Sequence, residues 1–244
     1  MKFTQFNILI ASCLVLAMTT SCKKLSLQKD YDRTPHTLDP KLGKSAGLYL
    51  MERATGVKAA NDTIFAWMLR GIQYAEIDLA EYEKTGKTFV LMHNDAIRRV
   101  SSGTVQKDCF FGANLVGGVP AQRWQDYPKE FVKNYLLYLI ANSVQDHYTI
   151  TYPDENQEVA TMAPEGAFNA LPAGITRHAD FPFTPDNNPK SLLRFKVLNS
   201  SPSNTSDYPI VLNDIRNVRT SSLQATNGTV HVIDRFLPMT LVPE

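Results

Sequence analysis

The apolar pattern of this chain changes its period once, near residue 145, which restricts it to folds that place helices and strands in different stretches. Before the change, Phe65, Met68, Leu69 and Ile72 share a helical face. Phe131, Tyr135, Leu136, Leu139 and Ile140 do the same behind Pro128, which suits a helix start, so the spacing predicts a helix over 128–142. Past the change, Tyr148, Ile150 and Tyr152 alternate with polar neighbours, as do Leu193, Phe195 and Val197, the pattern of half-buried strands. Helices first and strands later predict an α+β domain.

Finer features fill in this outline. Gly47–Arg53 places Leu48 and Met51 on one helical face, with Leu50 as a further candidate for it, and Asn61-Asp62 is expected to cap the next helix, on which Trp67 is equally core or binding residue. Lys87–His93 is a buried strand after the Thr85-Gly86 turn, and Asn94-Asp95 starts a short helix through Val100. Ile210–Leu212 and Thr229–Phe236 are further strands, the last entered through Asn227-Gly228. Two stretches, 101–127 and 164–190, lack a regular period yet are rich in Gly, Pro and aromatic residues. Long loops with that content are functional more often than disordered.

The N-terminus constrains location. Lys2, an uncharged run from Phe6 to Met18 and small residues before Cys22 have the three parts of an export signal, 1–21, with an apolar core too short to span a bilayer. The Thr19-Thr20-Ser21-Cys22 end resembles a bacterial lipobox, with Thr19 where Leu is usual. An ordinary secretory signal with an incidental Cys22 is the other reading. The lipobox implies lipidation of Cys22, palmitate included, and a membrane partner. Position 23 is Lys and not the Asp that retains lipoproteins in the inner membrane, so the expected destination is the outer membrane, facing periplasm or surface. Residues 22–36 are a polar tether, and 37–244 form the domain.

Lys and Arg number 25 against 24 Asp and Glu, and loss of Lys2 with the signal balances them. No basic face is concentrated, which excludes nucleic acid as a partner. Cys13 leaves with the signal and Cys22 is acylated, so Cys109 stands alone and no internal disulfide is expected. Its Asp-Cys-Phe-Phe setting suits a buried small hydrophobe.

Three segments carry a family resemblance. Ala225-Thr226-Asn227-Gly228-Thr229-Val230-His231-Val232-Ile233-Asp234-Arg235-Phe236-Leu237-Pro238 resembles the closing box of fasciclin domains. Lys87–Ile97 resembles the first box, with Met92-His93 where Pro-Thr is favoured, and Asn134–Ile140 the middle segment, with Leu139 in place of its His. The resemblance implies a single fasciclin-like domain: a compact β-sandwich or wedge with packed helices, here with two long insertions at about 101–127 and 164–190. It also implies an adhesion or binding module. With Leu139 at the His position, integrin-type binding is not carried over. Within the closing box, His231 and Asp234 are expected to satisfy hydrogen bonds of the fold itself.

No phosphate-cradling loop, nucleophile elbow or paired His at helical spacing is present in the sequence, so neither catalysis nor a metal or cofactor is expected. The partner expected at the envelope is a protein or a glycan. The candidate binding residues are the aromatics of the two irregular stretches, Trp124, Tyr127, Phe181 and Phe183, joined by Arg177 and His178. Two other readings stand beside an adhesion module: an accessory glycan-binding lipoprotein of an outer-membrane polysaccharide uptake system, and an envelope hydrolase.

Overall fold

Phe89, Val90, Leu91 and Met92 form an unbroken apolar run, and a strand of that kind needs cover on both faces. The computed structural model describes residues 40–198 and 209–241, so the signal, Cys22 and the tether lie outside the described residues. Strand β1 (Lys87–Met92) runs inside a four-stranded sheet, parallel to β13 (Gly228–Ile233) from Lys87↔Gly228 to Met92↔Ile233. Its other neighbour is the short antiparallel β6 (Ile140–Ala141), and β12 (Thr220–Ala225) pairs back on β13 across a turn at Thr226-Asn227. A second, antiparallel sheet has the order β11 (Arg216–Asn217), β10 (Ile210–Leu212), β9 (Leu192–Val197), β7 (Gln157–Ala160). In β9, Leu193, Phe195 and Val197 are the buried positions, as their alternation predicts. A hairpin of β2 (Val100–Ser101) and β3 (Thr104–Val105) and a small sheet of β4 (Asn114–Val116), β5 (Val119–Pro120) and β8 (Ile175–Arg177) complete the strands.

The helices are α1 (Ala46–Thr55), α2 (Ala66–Tyr74), α3 (Asn94–Ile97), α4 (Phe110–Ala113) and α5 (Lys129–Tyr138). Helix α1 starts at Ser45, whose hydroxyl accepts from the Leu48 amide, and stops at Gly56 in the left-handed conformation. The α+β class is therefore the observed one. These elements all fall within one unit, Asp39–Glu244.

Four local expectations are corrected. The helix expected over 128–142 ends at Tyr138, because Ile140 and Ala141 pair with Phe89 and Thr88 as an edge strand. The final strand stops at Ile233, and Phe236 turns into the core. Tyr148 and Tyr152 are 66% and 64% exposed and sit in no strand; Ile150 alone is buried, and Asp146 organises a turn by accepting from the amides of Tyr148 and Thr149. Neither Asn61 nor Asp62 caps α2. Asp62 pairs with Arg53, while Asn94 accepts from the Trp67 amide and donates to the Thr63 carbonyl, capping α2 from a distant part of the chain.

Asn227 and Gly228 lock the central pair of strands. The Asn227 amide group donates to the carbonyls of Tyr82 and Lys84 and accepts from the Ala46 amide, so one buried side chain joins α1, the turn before β1 and the start of β13. At Gly228 a β-carbon would sit 2.1 Å from the Lys87 carbonyl oxygen, which leaves room only for hydrogen. Gly228→Ala is expected to push β1 and β13 apart and to cost on the order of 1–3 kcal/mol of stability, as overpacking does. Urea denaturation measures this; an unchanged midpoint would show that the close approach does not exist.

Candidate functional site

The stretch 101–127 builds core. Phe110 lies within 4.5–6.2 Å of the rings of Phe111, Trp124, Tyr127, Phe131, Tyr135 and Phe236. Trp124 and Tyr127 are only 1% and 2% exposed, with the Tyr127 hydroxyl donating to the Asn114 carbonyl. The expectation that these two rings face a ligand from the loop surface is thus corrected: Phe110 and Phe111 pack against both, Phe131 also against Tyr127, and burial of that much apolar area outweighs exposure. Cys109 is buried beside them. The two irregular stretches do meet, but through backbone pairing of β4 with β8, Asn114↔Arg177 to Val116↔Ile175.

The remaining candidates lie along 177–183. Arg177 stacks over Phe236 at 5.0 Å, one nitrogen reaching the Met239 sulfur at 3.5 Å and Nη1 buried without a hydrogen-bond partner. Burial pulls its pKa down to about 10. Phe183, Asn187 and Asn188 close a cleft beside it whose free space, about 10 Å3, is that of a single water. His178 accepts from the Asp180 amide, and Asp180 pairs with Lys107. Phe181 packs edge-on against Phe236 at 5.6 Å. Arg177 and Phe181 therefore pack on Phe236, His178 is tied to the Asp180 backbone, and the cleft that Phe183 helps to close beside Arg177 has no ligand-sized opening.

The closing box is scaffold. His231 is fully buried; its Nδ1 accepts from the Ser222 amide at 3.1 Å, so Nε2 carries the proton and donates to the Gln145 carbonyl at 2.7 Å. Desolvation pushes its pKa from 6.5 down to about 4. Asp234 pairs with Arg235 and Arg219. Ser222, in a left-handed conformation at a register shift of β12, contacts the His147 ring nitrogen at 2.6 Å. Among the described residues this Ser–His contact has the look of a nucleophile and base, but the Ser222 hydroxyl also accepts from the His147 amide and the residue is 6% exposed, so the contact fastens a loop. Among the described residues no group of three or more His, Cys, Asp or Glu could hold a metal ion, and no helix is long and apolar enough to cross a membrane.

A larger opening lies between α2 and the turn 123–125. Trp67, Arg70, Gln73, Arg123, Trp124 and Gln125 line a groove of about 430 Å3, within the range that holds small ligands. Gly71 makes it possible: a β-carbon there would meet the Trp124 ring at 2.8 Å, so only glycine lets that ring lie against α2. The Trp124 indole N–H donates to the Trp67 carbonyl at 2.8 Å. The Trp67 ring is half-buried, edge-on to Phe111, with the guanidinium of Arg70 at 5.1 Å and that of Arg98 at 5.9 Å. Arg98 is held by Gln122, and Arg123 by Asp126. Of the candidate aromatics in the two irregular stretches only Trp124 borders this groove, as a wall and not as an exposed ring, whereas Trp67, weighed equally as core or binding residue, lines it. The signal for the rest was Trp67, Arg70, Gln73 and Tyr74 at i, i+3, i+6 and i+7, a polar face with one indole in it.

No protein-family model matches the chain, and no curated protein does. Among solved structures, the chain is similar to a FAS1 domain pair from the insect cell adhesion molecule fasciclin I, with 15% sequence identity and a TM-score of 0.38. The match covers 79% of this chain and 45% of that one, so the chain spans under half of that structure's length.

Two outcomes follow from this geometry. Trp124→Ala should lose about 3–5 kcal/mol, the cost of emptying a buried aromatic position, while Trp67→Ala loses distinctly less; equal losses would place both rings in the core. For His231, the folded chain keeps the ring neutral, whereas the unfolded chain takes up its proton near pH 6.5. Between pH 6.5 and about 4 the unfolded state binds more protons, so stability falls as the pH drops through that window, by roughly 3 kcal/mol in all. His231→Gln should lack this component in a series of melting curves against pH, and an unaltered slope would assign the acid sensitivity to other groups.

Proposed function

We propose that the chain is a non-catalytic binding module of the bacterial cell envelope, anchored in the outer membrane by acyl chains on Cys22, and that it meets its partner at the Trp67 groove. The groove carries the reading: it combines a volume of about 430 Å3, a partly exposed indole and polar side chains able to donate hydrogen bonds. The rest of the conspicuous chemistry is engaged within the fold, as His231, Asn227 and Ser222 illustrate. That pattern agrees with a scaffold of the fasciclin type, whose closing box the sequence resembles. The anchor rests on the sequence. Each buried methylene contributes about 0.8 kcal/mol, so one chain binds reversibly and two or more hold the protein on the membrane. Lys23 and Lys24 would face the headgroups.

A second reading has specific support. Aromatic rings beside amide and guanidinium groups are also the equipment of a glycan site, and Gln73, Gln125 and Trp67 supply it here. The protein would then serve as an accessory glycan-binding lipoprotein of a polysaccharide uptake system. A hydrolase has only the buried Ser222–His147 contact in its favour.

Labelled palmitate should enter the wild-type protein and not Cys22→Ala, and the substituted protein should leave the membrane fraction. Labelling that survives the substitution contradicts the anchor. For the groove, Trp67→Ala should abolish binding on panels of glycans and of extracellular proteins while the melting curve stays close to wild type. Binding that persists without the indole moves the partner to another face.

A further inference from the structure

We infer that the Trp67 groove takes an acidic oligosaccharide, one whose sugars carry carboxylates. The inference rests on the groove being the recognition surface and names the ligand class that its chemistry fits. Three guanidinium groups stand around one indole: Arg70 and Arg98 within cation–π range of Trp67, and Arg123 on the opposite wall. Two acidic groups beside the lining residues are already engaged. Asp126 holds Arg123 at 2.9 Å while accepting from the amides of Gln122 and Arg123, and Glu76 at the end of α2 pairs with Lys129 at 2.5 Å. Arg70 has no ion pair among the described residues, although it is exposed and held against the ring. Positive charge at the groove is therefore in excess, and complementarity calls for an anionic partner.

The side chains narrow the class further. A guanidinium resting on an indole is pre-oriented, so it can present its N–H fork to a carboxylate with little further loss of freedom. Gln73 and Gln125 offer both donors and acceptors along the groove, the match for hydroxyl groups that an acidic peptide lacks. The indole edge and the wall formed by Trp124 give apolar surface against the carbon skeleton of a sugar ring. An isolated phosphate or carboxylate would use the arginines and leave the amides and indoles without a role.

Both tryptophans of the chain border the groove, so indole emission reports occupancy directly. The full chain bearing Cys22→Ala is titrated with an oligomer of galacturonic acid, with a neutral galactose oligomer of equal length, and with poly-L-glutamate. Expected are a change in indole emission and saturable heat for the galacturonate oligomer only, weakened by added salt because the contacts are exposed. Arg70→Gln should weaken that binding roughly tenfold, the loss of one charge-assisted contact, and Trp67→Phe should keep part of what Trp67→Ala loses. Equal binding of the neutral oligomer, abolished by Trp67→Ala, overturns the acidic class but leaves the groove as the recognition surface. Poly-L-glutamate binding as tightly as the galacturonate oligomer overturns the glycan in favour of an acidic polypeptide. Silence from all three probes overturns the inference, and the panel binding of the wild type against Trp67→Ala then decides separately whether the groove recognises anything.

Discussion

The parallel ladder between β1 and β13 is the constraint from which the rest of the structure follows. Parallel neighbours cannot be joined by a tight turn, so the chain between Met92 and Gly228 has to leave the sheet and return. Every other described sheet, and most of the aromatic cluster around Phe110, is built from that excursion. Six consecutive registered pairs, a glycine that permits close approach and an asparagine that ties three segments together hold the ladder in one alignment. A one-residue slip would turn the buried His231 toward a different set of partners and unpair both of its nitrogens.

The long excursion is stabilised chiefly by rings. Phe110, placed on the short α4, meets aromatics from the turn 124–127, from α5 and from the tail after β13. Pairs of this geometry each add ~0.5–1.5 kcal/mol beyond burial. This explains how a stretch with little regular structure can be ordered although Cys109, the cysteine among the described residues, is a free, buried thiol. The two tryptophans divide accordingly: Trp124 fills the core, and its outer edge forms a wall of the groove that the half-buried Trp67 also lines.

Much of the scaffold was legible, for identifiable reasons. Lys87–Met92 and Leu192–Val197 announce themselves because burial on two faces or on one dictates a continuous or an alternating apolar pattern. The Asp-Cys-Phe-Phe setting points to a buried Cys109 and the closing box to a His231 hydrogen-bonded within the fold, and the structure has both. The alternation at Tyr148–Tyr152 misled because three residues at period two fit a turn with one buried Ile as well as a strand. The cap of α2 was out of reach, since Asn94 is remote from Trp67 in sequence and Asx residues stood closer at 61 and 62. Aromatics in irregular stretches were ambiguous in principle: composition says that a ring will be buried or used, and only tertiary packing says which. The groove is not legible in the sequence for a related reason: its two walls meet only where Gly71 admits the Trp124 ring.

Native-state hydrogen exchange followed by NMR tests the central claim, that the β1–β13 ladder and its closing box are the scaffold. The amides of Val90, Leu91, Val230 and Val232 should exchange last, and only through global unfolding. Those of the β4–β5 turn and of residues 144–153 should open locally and earlier. Exchange of the ladder amides through local opening, at rates like those of the turns, would contradict the account and shift the organising role to the aromatic cluster around Phe110.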